Sequence, residues 1–159
     1  MTDNRYNLIV ILGPTASGKT PFAAHLATHI NAEIISADSR QVYKDMTLGT
    51  GKDIADYTVG DVHVPYHLID IAEAGSKYNV FRFQNDFFAA FDDITSRGRM
   101  PLMCGGTGMY IEAVLKGYRM TSVPPNEELR RSLEGKTLAE LTERLATYRR
   151  LHNNTDSDT

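Results

Sequence analysis

Residues 13–20 read Gly-Pro-Thr-Ala-Ser-Gly-Lys-Thr, and their setting constrains the fold more than any other stretch of the chain. They follow an uninterrupted apolar run, Asn-Leu-Ile-Val-Ile-Leu at 7–12, which reads as a strand buried on both faces and predicts a central place in a parallel sheet. After Thr20, apolar residues recur at Phe22, Ala23, Leu26, Ala27 and Ile30 in a helical stripe, with Pro21 tolerated in a first turn that needs no amide donor there. Strand, glycine loop and helix in that order make Gly13, Pro14, Thr15, Ala16, Ser17, Gly18, Lys19 and Thr20 a phosphate-binding P-loop. The glycines permit a tight nest of amides, Lys19 reaches phosphate oxygens, and the Thr20 hydroxyl suits Mg²⁺.

The alternation continues. Residues 33–36 and 66–71 read as strands, 49–60 as loop, and Val80, Phe83, Phe87, Phe91 and Ile94 as one helix face ending at Gly98. Residues 101–104 form a further strand that stops at Gly105-Gly106, and 108–116 a further helix. Strands alternating with helices imply right-handed crossovers. The expected fold is α/β, a P-loop NTPase-like, doubly wound, mainly parallel sheet whose ligands bind at the strands' C-terminal ends. Beyond Pro124-Pro125 the pattern is helical only, with Leu138, Leu141, Leu145 and Tyr148 on one stripe opened by a Thr137-x-x-Glu140 capping box. We therefore expect a P-loop core over 1–120 and the start of a helical insertion over 121–159.

With 159 residues, 42% of them apolar, the chain is long enough for a core, and a net charge of −3 gives no global reason to expect nucleic acid. Locally it differs: residues 116–150 carry eight Lys or Arg against five Glu, whereas 1–115 carry nine against thirteen acidic residues. Charge alone leaves open whether that basic stretch is a binding surface or an ordinary solvated helix face. A single cysteine, Cys104, excludes an internal disulfide framework, and the apolar run near the N-terminus is too short for a signal sequence or a membrane span. The expectation is a soluble cytoplasmic protein.

A P-loop ATPase also needs an aspartate at a strand end to help hold Mg²⁺, and only Asp70 is placed for it. Asp38, just past the second strand, is a candidate general base, with an ordinary loop aspartate as the alternative. The turn Gly105-Gly106-Thr107-Gly108 offers backbone amides and the Thr107 hydroxyl to a charged leaving group. Histidines 25, 29, 63, 67 and 152 show no convincing metal spacing, and the phenylalanines of 81–91 have the spacing of core rather than of base stacking.

Taken together, residues 13–20, Ile-Ser-Ala-Asp-Ser-Arg-Gln-Val-Tyr at 35–43, His-Leu-Ile-Asp at 67–70 and Gly-Gly-Thr-Gly-Met-Tyr at 105–110 resemble tRNA dimethylallyltransferases, from about Ile9 to Arg130. The resemblance implies that the P-loop holds dimethylallyl diphosphate, although the same loop is often described as ATP-binding. It further implies that the prenyl group moves to the exocyclic amine of an adenosine beside the anticodon. Asp38 resembles the base that takes the amine proton, while Lys19, Mg²⁺ on Thr20, loop amides and Thr107 would stabilise the departing pyrophosphate. It assigns Asp38, Ser39, Arg40, Gln41, Thr107 and Arg130 to the tRNA anticodon stem-loop, the base being flipped into a channel.

Two departures stand out. The chain has Gly49-Thr50-Gly51-Lys52-Asp53 where family members commonly have Gly-Thr-Ala-Lys-Pro, and it ends at Thr159, ahead of the returning helix whose arginine helps hold the diphosphate. An N-terminal or truncated portion is expected, with a monomer favoured. The alternatives are an isopentenyltransferase or kinase acting on free adenine nucleotides, and a non-catalytic phosphate-binding remnant.

Overall fold

The computed structural model describes residues 6–121 and 123–148. Met1 to Arg5, Ser122, Arg149 and Arg150 of the basic stretch, and the tail with His152 lie outside them. The chain divides into two compact units, Met1–Thr121 and Ser122–Thr159.

The first unit is built on a four-stranded sheet of β1 (Ile9–Leu12), β2 (Ala32–Ser36), β5 (Tyr66–His67) and β6 (Met100–Gly105), in the order β1-β6-β2-β5 and parallel throughout. Helix α1 (Lys19–Ile30) covers one face and α2 (Val80–Ser96) with α3 (Gly108–Leu115) the other. The period-two alternation of strand side chains builds both cores at once. Ile34 and Leu102, paired in register, meet Ala23, Ala24 and Ala27 of α1, while their neighbours Ile35 and Met103 meet Phe83, Phe87 and Tyr110. The phenylalanine spacing is that of packing: Phe83 and Phe87 are buried, and Phe83 stacks on Tyr110 at 4.1 Å between centroids.

Three expectations need correction. The first concerns β1, which is not central: among the described residues its only strand partner is β6, and Leu12 is 66% exposed. Leu8 and Val10 pack into one core and Ile9 and Ile11 into the other. The apolar run thus recorded cover on both faces, which does not specify neighbours on both edges. The strand expected over 66–71 ends at His67, because Leu68 (φ 63°) and Asp70 (φ 56°) turn left-handed. The amides of Asp70 and Ile71 then donate to the Gln41 and Val42 carbonyls instead of extending the ladder with β2. Finally, the loop over 49–60 holds a 3₁₀ turn, Ile54–Tyr57, and one strand of the hairpin β3 (Thr58–Val59) and β4 (Val62–His63). Asp53 caps that turn by accepting from Ala55 N–H at 3.2 Å, and Gly60 supplies the positive φ at the hairpin tip.

At the sheet end opposite the P-loop, the buried Glu33 of β2 accepts from Arg97 and Arg99, which lie between α2 and β6, and from His67 Nε2 of β5 at 2.7 Å. The Arg97 guanidinium above all, aided by Arg99 and His67, holds this carboxyl far below the usual range against the opposing effect of burial. A carboxyl depressed in the folded state stabilises the fold above its ordinary pKa of 4.5 and loses that contribution as pH falls below it. Glu33→Gln is expected to cost about 3 kcal/mol at pH 7 and to flatten the acid limb of stability, measured by urea unfolding at pH 7 and pH 3.

The second unit contains α4 (Glu127–Leu133), capped by Asn126, which accepts from Leu129 N–H at 2.9 Å, and α5 (Leu138–Tyr148). The capping box forms: Thr137 N–H donates to Glu140 Oε2 at 2.8 Å, and Glu140 N–H to Thr137 Oγ1 at 3.4 Å. Leu141 and Leu145 line a groove with Leu129 and Leu133. No helix among the described residues is long and apolar enough to cross a membrane.

Candidate active site

The C-terminal ends of β1, β2 and β6 converge on a pocket of about 340 Å³. Thr15 to Pro21 form one side of it, with Ala16 (φ 60°) and Gly18 (φ 76°) left-handed, as a tight anion nest demands. Lys19 is folded over the loop, its Nζ donating to the Pro14 carbonyl at 2.5 Å. Gly13, just before the nest, has no room to spare: a Cβ there would lie 3.3 Å from Ser17 Oγ.

Asp38 and Arg40 project from the segment after β2 into the same pocket. Asp38 Oδ1 accepts from Arg40 N–H at 2.9 Å and lies 3.7 Å from Arg40 Nε, which shapes a tight Asx turn. Ser39 turns the other way: its N–H donates to Thr107 Oγ1 at 3.0 Å, and that hydroxyl donates to Ser39 Oγ at 3.3 Å. Thr107 thus ties the second glycine turn to the segment carrying Asp38, and the pocket wall itself comes from Gly105 and Gly106. Gln41 is buried, accepting from Ser36 Oγ and donating to the Gly51 carbonyl, so both ends of its amide are engaged. Arg130 is exposed on α4 in the second unit.

The candidate ATPase aspartate does not meet the P-loop. Asp70 pairs with Lys52 at 2.5 Å and is not among the residues lining the pocket. Among the described residues no three His, Cys, Asp or Glu side chains form a metal cluster. Mg²⁺ on a diphosphate needs few protein ligands, and Thr20 beside Lys19 fits that demand.

Sequence reasoning missed the pocket's third side, made by Thr50, Gly51, Asp53, Asp56 and Tyr57. Tyr57 is buried and packs on Tyr66 at 4.6 Å, while burial, with Asp53 nearby, raises the Asp56 carboxyl above its usual pKa. The signal was available in Asp53, a capping residue ahead of a short apolar-aromatic turn. Cys104 lines the floor, its thiol pushed up to about 11 by burial.

The IPP transferase family model matches residues 41–157, and that of isopentenyl transferase residues 6–60. The tRNA dimethylallyltransferase 1 of Parabacteroides distasonis is 64% identical over 154 residues, 97% of this chain. The chain belongs to the tRNA dimethylallyltransferase family. Solved structures agree in fold. The full-length tRNA isopentenylpyrophosphate transferase of Bacillus halodurans superposes with a TM-score of 0.68 at 34% identity, over 89% of this chain and 47% of that one. A eukaryotic dimethylallyltransferase captured acting on tRNA gives 0.71 at 26% identity, over 96% of this chain and 39% of that one. The fold is the P-loop NTPase-like α/β arrangement of these enzymes. The chain spans about half the length of the curated relatives it matches, 50% in the Parabacteroides distasonis case.

Proposed function

We propose that the protein carrying this sequence transfers a dimethylallyl group from dimethylallyl diphosphate to the exocyclic amine of a tRNA adenosine beside the anticodon. The observation that carries the reading is that Lys19, Thr20 and Asp38 line one pocket, in a chain of this family whose Asp70 is engaged elsewhere. An adenine amine is a weak nucleophile, and Asp38 would accept its proton as nitrogen bonds to the prenyl C1. The C1–O bond breaks with its electron pair leaving on pyrophosphate, and Lys19 with the loop amides stabilises the charge that develops there. Mg²⁺ held through Thr20 would supply further neutralisation of that leaving group.

On this reading Arg40 and Asp38 meet the flipped adenosine, Ser39, Gln41 and Thr107 hold the turn that presents them, and Arg130 offers a cation to the anticodon stem. A tRNA substrate suits the cytoplasm.

The test is transfer of labelled dimethylallyl from its diphosphate to unmodified tRNA, with AMP as competitor, by the protein at its full encoded length. Lys19→Met is expected to lower diphosphate affinity about a hundredfold by calorimetry, the loss of a cation-phosphate contact in a partly desolvated nest. Transfer to AMP in preference to tRNA, or ATP hydrolysis with no prenyl transfer, would overturn the reading.

A further inference from the structure

The third side of the pocket is fastened by polar groups that the proposed chemistry does not use. At their centre is Lys52, whose side chain is only 2% exposed. Its Nζ donates to the Tyr43 carbonyl at 2.6 Å and to Asp70 Oδ1 at 2.5 Å. One residue earlier the Gly51 carbonyl accepts from Gln41 Nε2 at 2.9 Å, and Gln41 Oε1 in turn accepts from Ser36 Oγ at 3.0 Å. Gln41 and Tyr43 flank Val42, which is fully buried, so two successive residues of the wall are pinned to both sides of a fixed point.

The counter-charge is delivered by unusual backbone. Leu68 and Asp70 both adopt positive φ, a conformation that leucine rarely takes and that persists only where surrounding contacts over-determine it. The contacts are present: Asp70 N–H donates to the Gln41 carbonyl at 3.1 Å, and the amides of Ile71 and Ala72 donate to the Val42 carbonyl at 2.9 Å each. The turn after β5 is thereby bound to the segment that carries Asp38 and aims a carboxylate at Lys52. A buried ammonium requires such a partner.

We propose that Lys52 is a positioning residue: held by Asp70, it fixes the wall of Thr50 to Asp53, and through Gln41 and Tyr43 the Asp38 segment, at the separation from the P-loop that a diphosphate needs. The inference rests on the diphosphate reading of the pocket and deepens it. It also gives Asp70 a role distinct from that of a metal ligand.

Inorganic pyrophosphate with Mg²⁺ is titrated by calorimetry into the wild type, Lys52→Met, Asp70→Asn and the double variant. Each single change is expected to weaken binding about tenfold, as a misplaced wall would, and the double change no further, because the two groups act as one unit. The loss should be the same at low and at saturating Mg²⁺. Unchanged affinity in Lys52→Met, additive losses, or a loss in Asp70→Asn that Mg²⁺ restores would overturn the proposal. Should Lys52→Met fail to fold, Asp70→Asn, at a side chain 44% exposed, carries the test.

If the wild type itself binds no pyrophosphate, the diphosphate reading falls, and hydrogen exchange decides the clip separately. Amides of 50–57 should then exchange about tenfold faster in Lys52→Met or Asp70→Asn while β6 stays protected, as local opening requires. Unchanged protection over 50–57 would overturn it.

Discussion

Gly105→Ala is expected to destabilise the fold by about 3 kcal/mol or more, a severe effect for one methyl group. The added Cβ would stand 2.3 Å from the Ala37 carbonyl oxygen, 2.5 Å from its carbon and 2.8 Å from Ala37 Cα. The obstacle is backbone, so no rotamer change relieves it. Nor does Ala37 have freedom to retreat, since its N–H donates to the Cys104 carbonyl at 2.8 Å and its carbonyl accepts from Thr107 N–H at 3.1 Å. Either the chain shifts, breaking the bonds that hold Asp38 opposite the P-loop, or β6 leaves its place between β1 and β2. Gly106→Ala is the comparison, because its Cβ would meet only the Gly13 carbonyl, at 3.5 Å, and should cost roughly 0.5 kcal/mol. Urea midpoints of the two variants measure the difference; equal losses would contradict the steric account.

On the proposed reading, Asp38→Asn in the protein at its full encoded length is expected to reduce kcat for prenyl transfer by about 10² to 10⁴-fold with the fold intact. Asparagine keeps a side-chain oxygen for the Arg40 N–H, so the turn that places residue 38 survives. On the proposed reading, what it loses is the capacity to accept a proton from the adenine amine. The signature of that loss is a fall in kcat at near-constant KM for the diphosphate, with an unchanged melting temperature. A variant that retained full kcat would reduce Asp38 to a turn-forming residue and move the proton elsewhere.

Asp38 follows Ala37 in the chain and Gly105 lies against Ala37, yet the two differ in how legible they were. Asp38 stood out in the sequence because its type and its place past a strand end suggested proton chemistry. Gly105 also stood out, as a donor of amides to a leaving group, but the demand for glycine there comes from Ala37, a residue 68 positions earlier, crossing its backbone. No local pattern records such an approach.

The same division runs through the rest of the molecule. Periodicity located β1, α1, α2, β6, α3 and the capping box of α5, because each reflects spacing between near neighbours in the chain. The P-loop was equally legible, since its amide nest is made by consecutive residues. Strand order was not: β1 carries the apolar pattern of a strand covered on both faces, and the order β1-β6-β2-β5 among the described residues follows from hydrogen-bond partners that side-chain pattern does not encode. The turn at Leu68 and Asp70 was hidden for a related reason, because His67 to Ile71 has strand-like composition and only the carbonyls of Gln41 and Val42 draw its amides away.

By itself, then, the sequence determined the alternating α/β plan and singled out the Gly13 to Thr20 loop and Asp38 as candidates, all of which rest on the chemistry of short contiguous segments. Tertiary structure alone decided that Asp38 and Lys19 line one pocket, that Gly105 must lack a side chain, and that Lys52 and Asp70 belong to each other. Each of those depends on backbone conformation and on contacts between residues distant in the chain, where long-range packing and burial of charge outweigh local preference.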